Sequence, residues 1–552
     1  MRDKIYHINP EQLEDVEELR QMLTILLNHV EKVESELLQA LEKIGLLEDE
    51  VNKLKGEHGK PVFKPNKESS RKKAKGKKPR RRNNKRGGKK GKTVIDREII
   101  CKVDKDKLPP DAVFKGYDEH IQQDIEIKRK NTLYKVEVYY SAIEKKTYRA
   151  IIPQNGRGMY GSGVKTWLNM LNRSCDTTQS RLKLLFNSLG ISISTGSINN
   201  YLLEPKQWVL DEQKEVLRAG LTSGEYAQID GTKSVERGVS KATQIICGAD
   251  FTVFYTKDNK KRLSVLEALQ GIVKGEGVLK YGYNENTEEM LVALNVSPGI
   301  RQKIKEIFGN KSKEGIFEWK GDKDAFEKQM RAFAPKIMAK KNIYARVMES
   351  FALSYYFMQD EFPVVEYLIS DDAPEYKKLA KIIHGLCWVH DARYYKKLIP
   401  KIERHKDILS NVMEQYWDFY DTLIAYKEGS KEYQQLHKEL IKQKFDKIFN
   451  QTTNYFQVNE CLKRTRKNKD KLLAVLDNPA LPLHNNAAEL GARRIVRKRD
   501  ISLHSWSVTG TLVRDAFMSI VETCLKLNVS PINYILDRTT GEYSMPAISS
   551  LL

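Results

Sequence analysis

Apolar residues hold one seven-residue repeat from Val16 to Leu54 without a break. Val16, Leu23, Val30, Leu37, Ile44 and Val51 occupy one heptad position, and Leu19, Leu26, Val33, Ala40, Leu47 and Leu54 occupy the other. A repeat of 3.5 residues suits a helix whose apolar seam packs along another helix, so the run predicts a coiled coil. Mixed β-branched and leucine residues at one position, with leucine at most of the other, favour a parallel dimer. Asp15 with Arg20, Lys43 with Glu48 and Glu50 with Lys55 would bring opposite charges together across the seam. We expect residues 1–58 to form this helix and to join two copies of the chain, although a long helix packed on its own protein gives the same pattern.

The chain of 552 residues has a formal net charge of +22, very unevenly placed. Between Lys60 and Lys92 there are 17 Lys or Arg against one acid, Glu68, so this segment carries +16 and the rest only +6. Residues 59–95 therefore hold too many like charges and too few apolar groups to bury a core, and read as a basic linker, disordered when free. Its natural partner is a polyanion, contacted by Arg80, Arg81, Arg82 and their neighbours in a salt-dependent, sequence-independent way. A solubilising linker without a partner, or a scaffold that binds RNA through this tail, would look alike. The six cysteines are scattered with no Cys-x-x-Cys pair, which argues against a disulfide framework or a zinc ribbon. No apolar run approaches the roughly 18 to 20 residues of a membrane span, and the N-terminus lacks a signal-peptide core. The expectation is a soluble, cytoplasmic protein without a membrane partner.

A chain of this length divides into several domains. Residues 96–155 alternate apolar and polar in DIEIKRK, LYKVEVYY and KTYRAII, which predicts a small antiparallel β module. Residues 156–215 read as helical. SRLKLLFNSLG-ISISTGSINNYLL predicts a helix, a glycine turn and a second helix opened by Ser194 or Thr195, the pattern both of a DNA-reading helix-turn-helix and of two helices packed in a bundle.

Two short apolar strands follow, each with carboxylates at its end. EYAQID closes on Asp230, with GTKS and a second strand, TQIICGADFTVFY, after it, a hairpin with Asp230 at the first strand's end. PVVEYLISDDAPEY closes on Asp371 and Asp372, which alternation places on opposite faces without choosing between them. Further on, LDNPALPLHNNAAELGARRIVRKRD sets Asn485 and Asn486 at a helix start, Glu489 one turn in, and Arg493 and Arg497 at successive spacings of four. Asn486-x-x-Glu489 is also a capping-box pattern, and Glu489 with Arg493 an ordinary helical ion pair.

The run LDNPALPLHNNAAE, with VRKRD after it and VETCLKLNVSPINYIL beyond, resembles the C-terminal part of the insertion-sequence-66 family of bacterial transposases. It departs at His484, where the family usually has aspartate, and at Leu490, where it usually has arginine. The resemblance implies a DDE catalytic triad, with Glu489 as its third member. It also chooses Asp371, because the family's aspartate is followed five residues later by a tyrosine, here Tyr376. The implied fold class is multidomain α/β: a ribonuclease H-like mixed-sheet core over residues 222–540, with helical insertions near 271–350 and 391–475. Such folds gather two strand-end acids and one helical acid, a set of hard oxygen ligands suited to Mg²⁺.

The implied activity is metal-dependent DNA strand cleavage and strand transfer of a mobile element. Asp230, Asp371 and Glu489 would hold two Mg²⁺ ions, with Arg493, Arg497 and Lys498 on the DNA. The partners are element ends, target DNA, a second copy through the coiled coil and element-encoded accessory proteins; the location is the bacterial nucleoid. HGLCWVHDARYY resembles the family's CWxH stretch, and Cys387 and His390 are expected to pack behind the acids and orient them, with His384 nearby. Where the family carries a cysteine zinc finger in the β module, only Cys101 remains, so no zinc is expected. The lost cysteines, His484 and Leu490 give a rival reading, a catalytically inactive or domesticated DNA-binding descendant of a transposase.

Overall fold

The computed structural model describes residues 16–54, 95–102, 116–125, 127–152, 158–204, 206–309, 318–379, 381–503 and 505–552. Arg80, Arg81 and Arg82 lie outside the described residues. Two compact units emerge: Met1–Leu37 with Arg129–Leu552, and Leu38–Lys128. In the second, the described residues beyond the helix form neither helix nor strand.

Helix α1 spans Val16–Leu54. Its described heptad side chains stay in solvent: Leu23, Val30 and Leu37 are 58, 60 and 58% exposed. A different, polar stripe is buried. Asn28 donates to the Asn454 carbonyl and accepts from the Phe456 N–H. Glu31 accepts from the N–H groups of Lys401 and Ile402, both at 2.8 Å, and meets His405 Nδ1 at 2.9 Å. His405 in turn stacks flat on Tyr455. Burial alone would raise the Glu31 pKa; these hydrogen bonds outweigh it and hold the pKa below the usual range.

The β module is smaller than its alternation suggests. Among its described residues only β1 (Val138–Ser141) and β2 (Lys146–Arg149) pair, as an antiparallel hairpin. The described residues of DIEIKRK are not in a strand, and Ile125 is 84% exposed. Three helices follow, α2 (Ser162–Arg173), α3 (Gln179–Ser188) and α4 (Thr195–Leu203), around Leu168, Leu182, Phe186, Ile198 and Leu202. Ser194 caps α4 by accepting from the Ser197 N–H. Helix α5 (Lys206–Ser223) leads into the sheet.

The sheet has five strands in the order β5-β4-β3-β8-β9. β3 (Ala227–Glu236), β4 (Val239–Cys247) and β5 (Thr252–Lys257) are an antiparallel meander, and β8 (Tyr367–Ser370) and β9 (Ile383–Leu386) add in parallel to β3. The β3–β4 turn is Arg237-Gly238, both at positive φ, which matches the twist of a tight hairpin. GTKS is thus inside β3 rather than a turn, and Asp230 sits mid-strand, contrary to the hairpin read from the sequence. TQIICGADFTVFY likewise divides into the end of β4, a turn and β5.

Ile229, Ile246, Val253 and Tyr255 face one core, shared with α5 and with the region between β5 and β8. Ile245 and Phe254 face another, against Ala492, Ile495 and Met518. The first region carries a two-stranded pair, β6 (Tyr281–Tyr283) with β7 (Trp319–Gly321), and helices that include α6 (Lys341–Met358). The second, after β9, holds α7 (Trp388–Lys396), α8 (Glu403–Glu428), α9 (Lys431–Phe449) and α10 (Phe456–Lys467) around Trp388, Tyr416, Phe419, Phe445 and Phe449. Then come α11 (Asn486–Ser502), α12 (Val508–Lys526) and α13 (Pro531–Thr540).

Helix α12 closes the edge of the sheet. Asp515, Ser519 and Thr523, four residues apart, accept from the N–H groups of Thr256, Phe254 and Thr252, two residues apart on β5. Four helical residues rise about 6 Å and two strand residues about 6.8 Å, so the two repeats nearly match. Side chains thereby satisfy backbone groups that an open edge would expose. Among the described residues no helix is long and apolar enough to cross a membrane.

Candidate active site

The β3–β8 ladder pairs Ala227 with Leu368 and Gln228 with Ile369. Carried two residues further, the same offset sets Asp230 level with Asp371, where β8 has just ended. Asp230 Oδ1 accepts from the Gly231 N–H at 2.7 Å and Asp371 Oδ1 from the Ala373 N–H at 3.1 Å. Tyr376 stands buried behind both, its hydroxyl donating to Gln244 Oε1 at 3.1 Å. Burial and the two nearby aspartates raise its pKa well above the usual value. Asp372 turns away: it pairs with Arg464 at 2.5 Å and Lys377 at 2.8 Å. Arg464, on α10, lies over the Tyr394 ring of α7, so Asp372 has a structural partner within the helical region.

Glu489 arrives from α11, and an asparagine fixes the start of that helix. Asn485 is buried; its side-chain amide donates to the Ile229 carbonyl at 2.8 Å and its N–H to Cys387 Sγ at 3.3 Å. The capping box does not form, since α11 begins at Asn486 without a side-chain cap and Glu489 points elsewhere. Glu489 meets Arg393 at 3.1 Å, His390 Nδ1 at 3.5 Å and Arg493 at 3.8 Å. Arg393 also donates to His390 Nε2 at 2.6 Å. Burial and Arg393 lower the His390 pKa, which favours a neutral ring. Cys387, one residue beyond β9, brings its sulfur to the same place: single ligand atoms of Cys387, His390 and Glu489 lie within 4.8 Å of one another. His384 is set apart, bonded to the Ser370 hydroxyl at 2.7 Å, and burial lowers its pKa to about 3.

Crowding of the acids is visible in Asp230. Burial, with Asp371 and Glu489 nearby, raises its pKa to about 6, against the lowering effect of the Gly231 N–H and Lys260. Among the described residues Glu489 Oε1, which is buried, has no hydrogen-bond partner. Hard oxygen donors gathered and under-compensated in this way fit a divalent cation such as Mg²⁺.

Of the cationic residues expected on DNA, Arg493 and Arg497 are exposed on α11. Lys498 is buried, bonded to the Asn172 carbonyl and 3.7 Å from Asp176. The sequence reading missed Arg393, although His390-x-x-Arg393 is one helical face and gave a signal. It had no means of finding Gln244 and Lys260, which tertiary folding alone brings near the acids.

The family model described as "Transposase IS66 family" matches residues 312–512, a segment that contains Asp371 and Glu489 and stops short of Asp230. The uncharacterized protein y4jO of Sinorhizobium fredii is 29% identical over 327 residues, 58% of this chain and 94% of that protein. No solved structure matches the chain. Residues 312–512 thus carry the domain of the IS66 transposase family, which points to a transposase, an enzyme that acts on DNA.

Proposed function

We propose that the chain is a DDE-type transposase with a ribonuclease H-like core that cleaves the ends of a mobile element and joins them to target DNA. The observation that carries this reading is the level placement of Asp230, on β3, and Asp371, just past the end of its parallel neighbour β8, with Glu489 brought in by a helix anchored to β3. These three carboxylates would hold two Mg²⁺ ions. When bound, Mg²⁺ neutralises phosphate charge and lowers the pKa of water or of a 3'-hydroxyl, which is the chemistry of phosphoryl transfer.

The chain's own groups then have distinct tasks. Asn485 sets where α11 starts, and so where Glu489 stands. Arg393, backed by His390, steadies the Glu489 carboxylate, and Cys387 accepts the N–H that anchors Asn485. Arg493 and Arg497 offer guanidinium groups to DNA phosphates beside the acids. The exposed seam of α1 pairs two copies, so that two element ends can be processed together. The test is a nicking and joining assay on element ends with and without Mg²⁺. Asp230→Ala, Asp371→Ala and Glu489→Ala should each abolish both steps and leave end binding measurable; full cleavage by any one of them would refute the triad.

A further inference from the structure

A cavity of about 530 Å³ opens between α2, α4, the β3–β4 hairpin and the C-terminal end of α11. Among the described residues, every charged side chain that lines it is a cation: Arg173, Lys498, Arg499 and Arg514. Carboxylates stand behind or beside this lining: Asp515 under Arg514, Asp176 beside Lys498 and Asp500 at 3.9 Å from Arg499. Arg173 is 8% exposed; one of its NH groups donates to the Leu202 carbonyl, and its Nε–H has no partner among the described residues. Burial, then the neighbouring Arg514, lowers the Arg173 pKa to about 10, and burial, then Arg173, lowers that of Lys498 to about 8. Cations forced together out of water are relieved by an anion. Ser507 and Gly510, at the start of the 19-residue α12, add the positive end of a helix dipole to the same wall. Trp506, at the mouth, is 79% exposed.

We propose that this cavity binds a backbone phosphate of a DNA strand, with Arg173 and Lys498 meeting the phosphate and Trp506 stacking on a base beside it. The inference rests on the reading of the chain as acting on DNA. Lys498 lies nine residues along α11 from Glu489, about 14 Å of helix. Nine residues also turn half-way round the helix, so Lys498 and Glu489 face opposite sides, and a strand that met both would pass around α11 over more than the roughly four nucleotides of 3.4 Å that this rise alone equals. The arrangement gives buried Lys498 a DNA contact that it lacks on the open surface. It also gives an anion to a guanidinium that the fold leaves partly unsatisfied.

The full-length chain carrying Asp230→Asn, to keep substrate intact, should be titrated with a short fluorescent single-stranded DNA at several salt concentrations. Adding Trp506→Ala should weaken binding roughly tenfold. Adding Arg173→Gln should lower the salt slope by about one, with Arg173→Lys restoring it. Unchanged affinity and slope in both variants would overturn the proposal. So would an RNA strand, or a single nucleotide, that binds better than DNA and loses as much with each variant. Thermal unfolding of each variant guards against misfolding. The activity reading fails separately: if the wild-type chain cleaves no DNA while these variants still lose strand binding, the cavity assignment stands alone. If it cleaves while they bind normally, only the cavity assignment falls.

Discussion

Asn485 donates its side-chain amide to the Ile229 carbonyl at 2.8 Å, one residue before Asp230. The bond forms where the β3–β8 ladder has stopped, so a side chain takes over from the sheet and ties the helix of one acid to the strand of another. Replacing Asn485 by alanine leaves a buried carbonyl unpaired, at a cost of about 1–3 kcal/mol. We expect Asn485→Ala to lower stability by that amount in denaturant titration, and to reduce strand cleavage while DNA binding holds. Wild-type cleavage by this variant would show that the anchor does not position Glu489.

Asp230 should leave a mark on the pH dependence of stability. Its pKa rises on folding from 3.8 to about 6, so the fold favours the protonated acid. That contribution is complete below the unfolded value and is lost as pH rises through about 6, amounting to at most about 3 kcal/mol. Metal-free protein should therefore lose stability between pH 4 and 7. Asp230→Asn should lack that part of the slope and melt higher at pH 7. An identical slope in both proteins would dismiss the crowding of acids as its source.

The closed edge of β5 gives a purely structural prediction. Ser519 accepts from the Phe254 N–H at 2.9 Å and from the Gln213 amide at 3.1 Å. Ser519→Ala strands the buried Phe254 N–H, while the Gln213 amide keeps its bond to the Phe254 carbonyl, and should cost about 1–3 kcal/mol. Equilibrium unfolding of the variant measures this; a loss below a few tenths would mean that water or a shifted neighbour replaces the hydroxyl.

Self-association can be tested without disturbing one chain's fold. Val30 occupies the heptad seam and is 60% exposed. Val30→Glu should halve the mass in solution, measured by light scattering, and leave the melting curve alone. A mass equal to that of the wild type would remove the seam from consideration as the contact between copies.

The three acids proposed as the triad stood out in the sequence because each ends or follows a distinctive apolar run, and the helix of Glu489 was marked by its paired asparagines. Their common level was not, since Asp230 and Asp371 are aligned by strand register, which depends on pairing across the long region between β5 and β8. The choice between Asp371 and Asp372 lay beyond alternation, and the structure separates their surroundings by giving Asp372 to Arg464 and Lys377. The capping box was a fair local expectation that tertiary bonds override: Asn485 finds Ile229, and Glu489 finds Arg393. Strand limits were the least readable part. GTKS looked like a turn, and only the positive φ angles at Arg237 and Gly238 reveal where the chain reverses.

Helix α1 is pinned by Asn28 and Glu31 to backbone near residues 401, 402, 454 and 456, so it cannot roll about its own axis there. The azimuth at which its leucines meet solvent is therefore settled within a single chain. A copy that zips onto them would arrive with its angle already dictated, and the symmetry of the pair would be inherited from one buried glutamate and one buried amide.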